Sequence, residues 1–137
     1  MKECQSLEGR RYTNYLGFVH YGKHYSFIKI ADIGIVNFLP LPNQENALPN
    51  KPFEYMAAGL PVIASDFPLW KKIIDDAGCG ICVNPASPRE IAEAILHLFN
   101  NPQLRKQMGE NGRRAVEEKY NWERESKKLL TVYEKLS

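Results

Sequence analysis

The chain has 137 residues, 44% of them hydrophobic and 25% charged, enough length and apolar content to bury one core, which excludes a disordered or fibrous chain. Eighteen Lys and Arg against sixteen Asp and Glu leave a net charge of +2, too balanced for a nucleic-acid footprint. Three cysteines, an odd number, with no basic segment leading into an apolar one, point to a reducing, cytoplasmic setting.

Four short segments rich in Val and Ile and bounded by Gly, Pro, Asn or Asp read as strands: YLGFV (15–19), IGIVNF, LPVIAS and CGICV. Their near-continuous apolarity suits strands covered on both faces, as in a parallel sheet. Between them, His24 to Ala31, Lys51 to Ala58 and Leu69 to Ala77 have helical spacing, so the expected class is α/β. No transmembrane segment is expected, because the longest apolar run, IGIVNFLPLP, carries two prolines and falls far short of a span of ~20 residues.

After CGICVNPA the chain turns wholly helical. Ser87, Pro88 and Glu90 make a capping box, and Ile91, Ala94, Ile95 and Leu98 follow on one face. Asn101 and Pro102 start a further helix to about Tyr120, in which Gly109 and Gly112 are weak points by propensity. Asn121 can cap a last helix whose apolar Leu129, Leu130, Tyr133 and Leu136 need cover. The organisation expected is one domain over residues 1–137, with strand-helix repeats from about 14 to 84 and a helical tail from about 87 to 137.

The stretch NKPFEYMAAGLPVIASD (50–66) carries the chemistry. With Asn50 as the cap, the first turn of a helix would aim free N–H groups, the macrodipole and the Lys51 charge at an anion. Glu54, about one turn in, could accept two hydrogen bonds from a diol such as ribose. Alternatively, it could be an acidic residue in the field of the helix N-terminus, worth ~0.3 to 1 kcal/mol. Cys79 and Cys82 have CxxC spacing without a second ligand pair and read as small core hydrophobes. His20 and His24 are four apart, and two ligands make no metal site. His97 reads as a partly exposed helix residue. A receiver-like module would need an acidic cluster at successive strand ends, which Asp66, Asp75 and Asp76 do not provide.

ALPNKPFEYMAAGLPVIASD, GCGICVNPASPREIAEAI and YNWERESKKLL together resemble the C-terminal, donor-binding half of the family-four glycosyltransferases, over nearly the whole chain from Tyr15. The resemblance implies a truncated C-terminal domain of the GT-B fold, a Rossmann-like parallel sheet of about four strands flanked by helices with a helical C-terminal tail. It further implies transfer of a sugar from a nucleotide diphosphate sugar to a glycan or lipid-linked acceptor, with retention, no cofactor and no obligatory metal. Glu54 then holds the ribose place of the family's E-x7-E signature, and Asn46 falls where the first Glu stands, with Glu45 one residue off.

Asn46 can hydrogen-bond a sugar hydroxyl but supplies no negative charge. Ala47, Leu48 and Pro49 replace the family's Gly-Phe-Gly, and Asn50, Lys51 and Phe53 complete the expected donor side. Gly17, Phe18 and Val19 correspond to the segment along the nucleobase, although an aromatic ring such as Phe18 beside a strand is more often core. On this resemblance the chain is expected to be a fragment, inactive alone, that lacks the acceptor-binding N-terminal domain and an upstream basic pair. Its site would be peripheral to the inner face of a membrane in the full-length enzyme. The alternative is a non-catalytic subunit that binds a separate N-terminal-domain chain, and an exposed last helix would favour a homodimer.

Overall fold

The computed structural model describes residues 8–20 and 22–136. A 3₁₀ turn at Glu8–Tyr12 precedes α1 (His24–Ile28), β1 (Gly34–Val36), α2 (Pro42–Glu45), α3 (Asn50–Ala57), β2 (Val62–Ser65) and α4 (Pro68–Ala77). β3 (Gly80–Val83), α5 (Pro88–Asn100), α6 (Pro102–Glu118) and α7 (Trp122–Leu136) follow.

The three strands form a parallel sheet in the order β1-β2-β3, with Ile35 opposite Ile63 and Ile63 opposite Ile81. Every residue of the central strand β2 is buried, as its unbroken apolar run requires. On one face Met56 of α3 and Trp70 and Ile74 of α4 pack on Val36, Val62 and Ala64. On the other, Ala94 and Leu98 of α5 pack on Ile63 and Val83. This is the helix-covered parallel sheet expected from the sequence, with one strand fewer among the described residues.

The missing strand is residues 15–19. Gly17 adopts φ +65, a left-handed conformation that breaks an extended run, and Tyr15 and Phe18 are 77% and 88% exposed, so no sheet position covers them. β1 is therefore an edge strand, with Ile35 open to solvent. α2 was not foreseen; Pro42 at its first position starts it and it ends after one turn.

In α6 the glycines are points of contact. A Cβ on Gly109 would lie 2.0 Å from the Gly59 carbonyl oxygen, and one on Gly112 would lie 3.1 Å from Cys79 Cβ, so both permit α6 to seat against the end of α3. The helix starts at Ser87 and Asn121 behave as read: Ser87 Oγ accepts from the Glu90 N–H at 3.3 Å, and Asn121 Oδ1 accepts from the Arg124 N–H at 3.0 Å. Glu90 does not close the box, accepting instead from the Asn84 N–H at 3.0 Å. No residue of α7 is buried, and Leu129, Leu130, Tyr133 and Leu136 are all exposed.

Candidate functional site

The carboxyl ends of the strands are tied together by side chains. Ser65, fully buried at the end of β2, accepts from the Phe38 N–H at 2.9 Å and donates to the Phe38 carbonyl at 3.0 Å, fixing the chain as it leaves β1. Asn37 Nδ2 donates to the Pro85 carbonyl at 3.3 Å, linking that segment to the loop after β3. In open parallel sheets this edge is where ligands bind.

From there the chain passes through α2 to the start of α3. Trp70 of α4, wedged edge-on between Phe38 and Phe67 at centroid distances of 5.7 and 5.1 Å, donates its indole N–H to the Ala47 carbonyl at 2.6 Å. That bond anchors the 46–49 loop over α4. Leu48, Pro49, Pro52, Phe53, Ala64 and Trp70 help to line a small depression there with apolar walls.

The helix begins one residue earlier than the sequence indicated. Pro49 is the N-cap in extended conformation (φ −69, ψ 154), no side chain caps the turn, and Asn50 is the first helical residue. Of the four backbone positions that lack an intrahelical acceptor, Pro49 and Pro52 have no N–H, which leaves Asn50 and Lys51 as donors. The Phe53 N–H falls at the position that bonds back to the N-cap carbonyl and is not a free donor. The side chains of Asn50 and Lys51 are exposed, whereas Phe53 packs against Tyr120 at 5.3 Å and is a core contact.

Glu54 lies beyond the first turn of α3, half-buried, and its Oε2 is 3.8 Å from Nε2 of His24 at the start of α1. The neighbouring Tyr55 phenol is raised above its ordinary value by burial and by the Glu54 charge. His24 Nδ1 accepts from the Gly22 N–H at 3.3 Å, and its ring lies 4.0 Å from that of Tyr25. Asn46, at the end of α2, and Leu48 are exposed. Gly17, Phe18 and Val19 are placed in an exposed segment, where the Phe18 ring meets His20 edge-on at 5.5 Å. Among the described residues no group of three His, Cys, Asp or Glu could hold a metal ion.

The model of the family described as glycosyl transferases group 1 matches residues 1–115. The chain belongs to this family. An uncharacterized glycosyltransferase of Methanocaldococcus jannaschii is 26% identical over 99% of this chain and 34% of its own length. A second from the same organism is 35% identical over 74% of the chain and 28% of its length. Phosphatidyl-myo-inositol mannosyltransferase of Mycobacterium leprae is 33% identical over 59% of the chain and 21% of its own length.

The chain thus spans about a third or less of these relatives. Sucrose-phosphate synthase from Thermosynechococcus elongatus shares the fold with a TM-score of 0.79 at 24% identity, over 90% of the chain and 30% of that structure. The GT-B Rossmann-like architecture expected from the sequence is therefore the fold of this chain.

Two features of this candidate site escaped sequence reading. His24 was weighed only as a metal ligand, since a residue 30 positions from Glu54 leaves no spacing signal. Trp70 was not singled out; the one hint is that a buried indole N–H needs an acceptor.

Proposed function

We propose that this chain is the donor-binding part of a retaining glycosyltransferase that uses a nucleotide diphosphate sugar, with Glu54 accepting hydrogen bonds from the ribose hydroxyls. The observation that carries the reading is the position of Glu54. It is half-buried, 3.8 Å from His24, and beyond the first turn of α3, where the helix N-terminus no longer accounts well for a carboxylate. Asn50 and Lys51 meet the diphosphate with two backbone N–H groups and one cation, so that preorganised donors, without an obligatory metal, stabilise the leaving group. Asn46 and Leu48 face the sugar side, and Gly17 to Val19 lie along the base. The reduced-thiol composition favours a cytoplasmic site of action, and the acceptor is a glycan or a lipid-linked saccharide.

The test is a two-dimensional NMR titration of the chain with UDP, GDP and ADP at millimolar concentration, repeated on Glu54→Gln. A hydrogen bond to a charged acceptor is worth about 1.5 to 3 kcal/mol, so the variant should bind the responsive nucleotide about tenfold or more weakly at an unchanged melting temperature. Equal losses of binding and of melting temperature would make Glu54 a structural residue.

A second reading, partner dependence, rests on α7, whose apolar face is uncovered. Its occupant in this reading is an acceptor-binding domain. Light scattering of the chain alone should give a monomer, and a concentration-dependent dimer would assign that face to a second copy instead.

A further inference from the structure

We propose that His24 is a positioning residue for Glu54, aiming its carboxylate at the ribose hydroxyls and so setting the preference of the site for ribonucleotides over 2′-deoxynucleotides. The inference rests on the ribose reading of Glu54. Its warrant is geometric. Gly22 adopts φ +101, which favours glycine, and in that conformation its N–H reaches His24 Nδ1 at 3.3 Å. A neutral ring whose Nδ1 accepts must carry its proton on Nε2. Nε2 is the atom that faces Glu54 Oε2 at 3.8 Å, with both side chains 24% exposed, within reach of a ligand yet partly withdrawn from water.

The ring is further steadied against Tyr25 at 4.0 Å. An N–H donor beside one carboxylate oxygen restricts the rotation of the Glu54 side chain and leaves its other oxygen for the ligand. Apo contacts of this length commonly shorten when a ligand arrives, and a shift of under ~1 Å would bring the pair to hydrogen-bond distance. Aiming, rather than raw affinity, is what such a neighbour contributes. The 2′-hydroxyl reads it out, because a carboxylate held toward the diol distinguishes one hydroxyl from two.

The experiment measures Kd by NMR titration for UDP, GDP and ADP and their 2′-deoxy counterparts on the wild-type chain, His24→Ala, His24→Gln, Glu54→Gln and the double variant H24A/E54Q. The expected wild-type preference for ribose is about tenfold. It should fall to within about twofold of parity in His24→Ala and in Glu54→Gln without further loss in the double variant, the non-additivity of two residues acting as one unit. His24→Gln, which keeps an N–H donor, should restore most of the preference and decides the matter if the alanine variant is misfolded.

A tenfold preference surviving in His24→Ala but lost in Glu54→Gln would overturn the role of His24 and leave the ribose reading standing. Equal weakening of ribo and deoxy ligands by His24→Ala would likewise overturn it, as a structural effect. A preference untouched in Glu54→Gln, or no saturable binding by the wild-type chain, would remove the ribose reading and this inference with it.

Discussion

Trp70 shows how a single side chain can hold a site that it need not touch. Its indole N–H reaches the Ala47 carbonyl at 2.6 Å while the ring is 2% exposed, so Trp70→Phe keeps most of the packing and deletes the donor. A net loss of about 0.5 to 1.5 kcal/mol is expected, because Ala47 is exposed and water can replace the donor. Faster amide hydrogen exchange at Ala47 and Leu48, with protection in β2 unchanged, would verify the anchor; unchanged exchange at Ala47 would refute it.

The thiols behave oppositely to reactive cysteines. Burial pushes Cys79 up to about 11 and Cys82 to about 12, from 9.0 for a free thiol, so alkylation at pH 8 should be far slower in the folded chain than in urea. Cys4 lies outside the described residues, so the assay is best run by mapping the modified peptides.

At the scale of elements, α3 and α6 meet through glycine. Replacing Gly109 by Ala should gain up to ~1 kcal/mol in helix propensity but forces a methyl into the Gly59 backbone, an overpacking cost of about 1 to 3 kcal/mol or more. Since the obstacle is backbone and cannot rotate away, the cost should win. A lower urea midpoint is expected, and a higher one would mean that the helices do not touch there.

Propensity alone misreads this pair as weak points, because the information lies in a contact between residues 50 positions apart. The start of α3 is displaced for a local reason: Pro49 is itself compatible with the extended cap conformation, and no polar side chain is needed there. Residues 15–19 look like a strand for the same apolar reason as β2, yet strandedness also needs a neighbour to pair with, and composition does not reveal one. For α7 the amphipathic pattern was legible and the lack of cover was not. A chain ending at Asn121 should therefore keep its free energy of unfolding in urea to within about 0.5 kcal/mol, since α7 buries no residue. A larger fall would reveal a docking contact.

Across the molecule, alkali should loosen the fold through two thiols, buried Cys79 and half-buried Cys82. Each binds its proton more tightly folded than unfolded, so its contribution is complete below pH 9 and is lost as pH climbs toward about 11 and 12. Urea midpoints taken from pH 8 to pH 11 should fall, and Cys79→Ala should flatten the decline; an equally steep decline in that variant would place the cause elsewhere.

The distribution of burial also divides the chain. β2, α3, α4 and the glycine-bearing stretch of α6 share one packed core, whereas α1 contributes a single buried side chain, Ile28, and residues 9–18 are exposed. Glu54 belongs to the first region and His24 to the second. Regions so different in packing open with different free energies, the sparse one locally and the dense one only with global unfolding. A ligand that engages both must recruit the loosely held flank onto the rigid one, and part of its binding energy is converted into order. Its footprint in hydrogen exchange should fall on residues 22–30 rather than on α3, which is already as protected as the fold allows.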